Sequence, residues 1–181
     1  MNKALIIIDF VYDFVADGGS LTCGAPAQAI DSYIANLAER YAAKGDFIFI
    51  ARDSHVPGDI YNPQSSLFPT HCIAGDSGGD LYGETGIAVS RLPRDNVIDL
   101  PKTRYSAFAG TALDLKLRER GISRVSLAGV CTEICVLHTA IDAYNLGYNI
   151  EIHKRAVAGL TQEGHEFALN HFKTVLGAEV I

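Results

Sequence analysis

Several chemically capable side chains fall where apolar runs give out: Asp9, Asp53 with His55, Lys102, and the thiols of Cys131 and Cys135. A carboxylate, an ammonium and a thiol brought together make a covalent catalyst. The carboxylate takes the thiol proton, the cation steadies the neighbouring anions, and the sulfur attacks an electrophilic carbon. Asp53 and His55 lie two residues apart, so in an extended chain they point the same way. Carboxylate plus imidazole suits a divalent ion such as zinc, manganese or iron, and His71 is a third candidate for that set. Plainer roles stand beside each reading. Asp9 would serve as a turn cap, Lys102 as a solvated surface lysine, and the cysteines as inert packing. The helical spacing of Cys131, Cys135 and His138 also allows a metal site, though no second Cys-x-x-Cys pair supports one.

Elements that would position these groups follow from the hydrophobic pattern. Residues 3–10 form an apolar run without alternation, as expected of a strand covered on both faces. Residues 27–44 show helical spacing, with Ile30, Ile34, Leu37 and Tyr41 on one face and Gly45 as stop. A second strand spans 46–53 and ends at Asp53-Ser54-His55. Residues 56–80 are a long irregular loop, a length that usually carries function; Gln64, Phe68 and His71 lie on it. A short strand at 96–100 precedes Lys102, and a helix at 110–120 stops at Gly121.

The strand 125–130 then turns into a helix, with Ile134, Leu137, Ile141 and Tyr144 expected on one stripe and Gly147 as stop. Thr132 falls at the N-cap, which puts Cys135 at the third helical position, beside amides that lack intrahelical partners. The helix dipole there favours a thiolate. A fifth strand at 149–153, a helix capped by Thr161 and carrying Phe167, Phe172 and Leu176, and an edge strand at 178–181 complete the chain. Strand and helix alternate throughout, which predicts a single α/β domain over residues 1–181: a doubly wound, Rossmann-like, mostly parallel sheet with helices on both faces. Asp9, Asp53, Lys102 and Cys131 to Cys135 then share the carboxyl edge, where such sheets bind ligands.

Composition narrows the partners. Fifteen basic residues against twenty-one acidic give a formal charge of −6 without a basic stripe, which argues against a nucleic-acid surface. The first apolar run ends at Asp9, too short for a membrane span or a signal peptide. Four irregularly spaced cysteines suggest free thiols in a reducing cytoplasm.

Taken in order, several blocks resemble the isochorismatase-like cysteine hydrolases and, within them, the nicotinamidase (pyrazinamidase) branch. The blocks are Ala4-Leu5-Ile6-Ile7-Ile8-Asp9, Asp53-Ser54-His55, Phe68-Pro69-x-His71, Lys102-x-x-Tyr105-Ser106-Ala107-Phe108, Gly129-Val130-Cys131-Thr132-Glu133-Ile134-Cys135-Val136 and Thr139-Ala140-x-Asp142-Ala143. The resemblance implies a catalytic triad of Asp9, Lys102 and Cys135, and an oxyanion hole from the amides of Cys131 and Cys135. It also implies a cis peptide at Val130-Cys131 and metal ligands Asp53, His55 and His71, with zinc expected before manganese or iron. Phe14, Leu21, Phe68 and Tyr105 would form an apolar ring pocket. Its implied activity is hydrolysis of nicotinamide to nicotinate and ammonia in NAD salvage, through a Cys135 thioester. A sibling hydrolase would act instead on another small amide or carbamoyl compound. The family adds a His or Glu ligand where this chain has Ile60 and Gln64. Gln64 offers a carbonyl oxygen without charge, which implies a weaker or more hydrated metal. Self-association into a homo-oligomer is likewise an expectation from the family.

Overall fold

The apolar run after Lys3 is the centre of the sheet. In the computed structural model, which describes residues 3–181, the strands are β1 (Lys3–Ile8), β2 (Phe47–Asp53), β3 (Val97–Lys102), β4 (Arg124–Val130), β5 (Asn149–Ala158) and β6 (Glu179–Val180). All pair in parallel, in the order β3-β2-β1-β4-β5-β6. The helices are α1 (Tyr12–Val15), α2 (Ala25–Gln28), α3 (Asp31–Ala43), α4 (Gly83–Arg91), α5 (Leu113–Glu119), α6 (Leu137–Asn145) and α7 (Gln162–Thr174).

The strand period of two sorts β1 between two cores. Leu5 and Ile7 pack with Ile34, Leu37 and Tyr41 of α3 and with Val89 of α4. Ala4, Ile6 and Ile8 pack with Leu113 and Leu117 of α5, Val136 and Ala140 around α6, and Phe172 of α7. Each large apolar side chain buried this way contributes about 1.5–3 kcal/mol. Helices therefore cover both faces, as the unbroken apolar strands predict.

Three local expectations differ. The helix expected at 27–44 is divided into α2 and α3, and Asp31 at the start of α3 serves another helix. Its carboxylate accepts hydrogen bonds from Glu84 N (2.8 Å), Thr85 N (2.8 Å) and Thr85 Oγ1 (2.7 Å). This cap starts α4, which the sequence did not advertise because two glycines interrupt its short apolar pattern. Gly83, at φ 51°, must be glycine: a Cβ there would lie 2.1 Å from Asp31 Oδ2. β5 runs on past His153 to Ala158. On α7, Phe172 and its neighbour Leu176 are buried as expected, but Phe167 faces solvent.

Candidate active site

The strand order changes direction between β1 and β4, so the loops leaving their carboxyl ends diverge and open a crevice. Asp9 follows β1 in the left-handed region, at φ 52°, a conformation that aspartate tolerates better than most residues. Asp53 and Lys102 close β2 and β3 and are direct register partners. Cys131 follows β4 through a cis Val130-Cys131 peptide. Gly129, at φ 116°, lets β4 pass close to β1: a Cβ there would sit 1.9 Å from Ile8 O.

Lys102 is the hub. Its ammonium lies 2.7 Å from Asp9 Oδ2, 2.5 Å from Asp53 Oδ1, 3.0 Å from Arg104 O and 4.0 Å from Cys135 Sγ. Asp9 Oδ1 in turn accepts from Asp53 N at 2.7 Å. Asp9, Asp53, Lys102 and Cys135 are all buried. Burial, then the Asp53 charge, raise the Asp9 carboxyl to about 6 despite the opposing pull of Lys102. Burial also opposes ionisation of Asp53, but the Lys102 charge, helped by the nearby imidazoles of His55 and His71, outweighs it and holds that carboxyl well below its usual range. Burial alone would push Lys102 down; the charges of Asp9, Cys135 and Asp53 reverse this and keep it firmly protonated.

Cys135 departs from expectation. Burial raises its thiol well above the ordinary value, and although Lys102 pulls the other way, Asp9 and Asp53 add to the rise. The resting group is therefore a thiol rather than the dipole-stabilised thiolate that the sequence suggests. Local geometry explains part of this. Residues Thr132–Val136 form a π-helical turn preceding α6, with Val136 N reaching Cys131 O. Thr132 does not cap the turn; its hydroxyl pairs with His165 Nδ1 at 2.8 Å. The wider turn also rotates the stripe, so Val136, Thr139, Ala140 and Ala143 face inward while Tyr144 is exposed.

Asp53, His55 and His71 form a second cluster, with potential ligand atoms all within 4.8 Å of one another. Asp53 Oδ2, His55 Nε2 and His71 Nε2 are buried without hydrogen-bond partners. Three orphaned donor atoms aimed at one point are what a divalent cation would satisfy, and buried polar groups seldom stay unpaired otherwise. His71 Nδ1 lies 2.7 Å from Pro69 O, an outer contact that fixes the ring with Nε2 directed inward. Gln64 is buried beside this cluster, its Nε2 likewise unpartnered.

Comparison with known proteins places this geometry. Residues 3–181 match the family model described as the isochorismatase domain. The chain belongs to that family. The isochorismatase family protein PncA of Bacillus subtilis, itself described as uncharacterized, is 54% identical over 181 residues, covering 99% of both chains. A crystal structure of a pyrazinamidase/nicotinamidase from Streptococcus mutans superposes with a TM-score of 0.96 at 54% identity, over 99% of this chain and 100% of that one. The pyrazinamidase of Pyrococcus horikoshii, solved in complex with zinc, gives a TM-score of 0.87 at 29% identity, over 100% of this chain and 99% of that one.

In this isochorismatase-family chain the four expected ring-pocket residues do converge. Phe14, Leu21, Phe68 and Tyr105 line a narrow slot of about 40 Å³ that Asp9 and Cys135 also line. A bay of about 280 Å³, bordered like the slot by Gln64 and Phe68, reaches His55 and His71 and offers an ion an entry path. Sequence reasoning missed Leu160 and Ile134 in the slot. It also left unassigned the roles of three residues that hold the site in place. Asn62 lies 2.7 Å from His55 Nδ1. Asp13 accepts from Cys72 N at 2.6 Å, tying the Phe14 loop to the His71 segment. Thr139 links Cys135 O (2.7 Å) to Ala107 N (3.0 Å). Asp13 and Asn62, polar residues on the loops that carry Phe14 and His71, were the available signal.

Proposed function

We propose that this protein hydrolyses nicotinamide to nicotinate and ammonia, an amidohydrolase reaction of NAD salvage. The observation that carries the reading is the convergence of a thiol, a carboxyl group poised near neutrality and a buried ammonium beside an apolar slot. With Asp9 ionised, its carboxylate accepts the Cys135 proton as the sulfur attacks the carboxamide carbon. Amides of Cys131 and Cys135 would receive the developing oxyanion, a contribution that is often the largest in acyl transfer. Asp9 then gives its proton to the departing ammonia and takes one from the water that cleaves the thioester. Lys102 supplies the fixed positive charge that allows two buried carboxylates and a transient thiolate to coexist.

Asp53, His55 and His71 would hold a divalent ion, zinc before manganese or iron, which when bound would supply a Lewis-acidic anchor for the substrate ring. The zinc in the Pyrococcus horikoshii neighbour supports that order. Four free cysteines suit a reducing cytoplasm, and a homo-oligomer belongs to the same reading, checked by light scattering.

A second reading rests on Gln64. Its buried amide brings no negative charge to the ion cluster, and a family hydrolase acting on another small amide or carbamoyl compound would keep the triad with such a change. Ammonia release from nicotinamide by zinc-loaded protein decides between them. Turnover of nicotinamide, with a nicotinoyl adduct on Cys135 in quenched samples, supports the first. Turnover of carbamoyl substrates alone would replace it with the second.

A further inference from the structure

Two thiols outside the proposed triad meet inside the molecule. Cys23 Sγ and Cys131 Sγ lie 2.8 Å apart, 108 residues distant in sequence. Both are buried and free. A disulfide needs about 2.05 Å between its sulfurs, so less than an ångström of closure separates this contact from a covalent bond. Cys23 sits just before Gly24, at φ 63°, on the loop that carries Leu21 into the slot. Cys131 lines the slot itself, beside Cys135. A small molecule that enters the slot thus meets Cys131 as well as Cys135, and of these two only Cys131 has Cys23 against its sulfur.

We propose that Cys23 and Cys131 are a modification site for small hydroperoxides, which convert the pair to a reversible disulfide and switch the slot off. In the first step the Cys131 sulfur attacks the distal peroxide oxygen. The O–O bond breaks, the thiol proton leaves with the alkoxide as alcohol (or water, from hydrogen peroxide), and Cys131 becomes a sulfenic acid. In the second, Cys23 sulfur attacks the sulfenic sulfur, the S–O bond breaks, and water departs with the Cys23 proton. Two thiols are oxidised by two electrons and one peroxide is reduced. Bulky disulfide oxidants are excluded, because the narrow slot admits only small molecules.

The contact with Cys23 and burial push the Cys131 thiol up. Oxidation of Cys131 is slow for that reason, and the Cys23 sulfur in contact with it captures the sulfenic acid once formed. Closing the bond draws Cys131 towards the Leu21 loop and displaces its amide. The loss of activity rests on the proposed hydrolase reading; the cross-link itself does not.

Zinc-loaded protein treated with hydrogen peroxide, alkylated and digested without reduction should yield one Cys23–Cys131 linked peptide. Ammonia release should fall at least about tenfold and return with dithiothreitol. In Cys23→Ser the linked peptide should be absent, the reversible loss should vanish, and activity before treatment should stay within about twofold. Peroxide that oxidises Cys135 while Cys23 and Cys131 remain alkylatable would overturn the proposal. So would a quantitative cross-link that leaves ammonia release unchanged in a protein that turns over nicotinamide. Should nicotinamide not be a substrate at all, the linked peptide alone decides the modification, and the hydrolase reading fails separately.

Discussion

The two edges of the sheet each bury a carboxylate, and they move it in opposite directions. At the carboxyl edge, Asp9 rises to about 6 because burial and the Asp53 charge outweigh Lys102. At the amino edge, Glu151 falls to about 2, led by its hydrogen bond with His153, with Ser126 and Lys3 adding to the effect against burial. Glu151 Oε1 accepts from Tyr41 (3.2 Å) and Ser126 (3.0 Å) and lies 3.1 Å from His153 Nε2; Oε2 lies 3.3 Å from Lys3 Nζ. Several hydrogen-bond donors gathered on one buried carboxylate produce a locked structural charge. One cation shared between two carboxylates produces a group that exchanges a proton near neutral pH. The same fold thus builds a rigid edge and a reactive one from similar side chains.

The largest test of that contrast is removal of the sulfur. Cys135→Ala should reduce ammonia release by at least about 10⁴-fold while the thermal transition stays put, since the loss of a covalent nucleophile commonly costs this much or more. Asp9→Asn should cost about 10²–10⁴-fold, the usual range for a general base. Glu151→Gln should leave both rate constants within about twofold. A comparable loss from the amino edge would dissolve the distinction.

Lys102→Met sharpens the comparison next, because it leaves Asp9 and Asp53 facing each other without their cation. Breaking one partner from a buried ionic group costs about 3–5 kcal/mol, readable as a lowered denaturation midpoint. The acid limb of kcat/KM tests the sign. Asp9 is the base only when ionised, so in the native protein activity should fall as pH drops through about 6. Without the lysine charge the carboxylate is harder to form, and the limb should move to higher pH. A limb that stays in place would mean that Lys102 does not tune Asp9.

Chelation addresses the neighbouring cluster. Removing the ion should raise KM more than it lowers kcat, since Asp53, His55 and His71 would position substrate without entering the bond changes. Metal content measured on His71→Ala should fall in parallel with affinity. A kcat collapse with unchanged KM would place the ion in the chemistry instead.

Much of this was legible in the residues before the coordinates. The apolar run Ala4-Leu5-Ile6-Ile7-Ile8 forces a strand buried on both faces, and parallel alternation then puts Asp9, Asp53 and Lys102 on one edge whatever the loops do. Phe14 and Leu21, apolar residues on a polar loop, were already candidates to line a pocket; Tyr105 could be assigned to the slot only by family likeness, because loop paths depend on distant hydrogen bonds such as Asp13 to Cys72. The start of α4 was hidden for the same reason: its cap, Asp31, is 53 residues away from Glu84. Cys135 shows the opposite error. A local rule about helix starts suggested a lowered thiol pKa, whereas burial and two carboxylates, visible only in three dimensions, reverse it.

The smallest expected effect belongs to the amino edge and is a matter of pH. Glu151 ionises at about 2 in the fold against an ordinary 4.5, so its charged form stabilises the native state. That contribution is complete above the unfolded value and is lost as pH falls from about 4.5 through 2. Glu151→Gln keeps the size but not the charge, and should lower stability at pH 7 by about 1–3 kcal/mol, the cost of weakening a buried charge-assisted hydrogen-bond cluster. As acid is added, the gap between native protein and variant should narrow, because protonation makes the two side chains alike. Urea midpoints at pH 7 and pH 3 would read this directly. A gap that stays constant would mean that Glu151 acts through shape and not charge, and the two edges would then differ less than their carboxyl groups suggest.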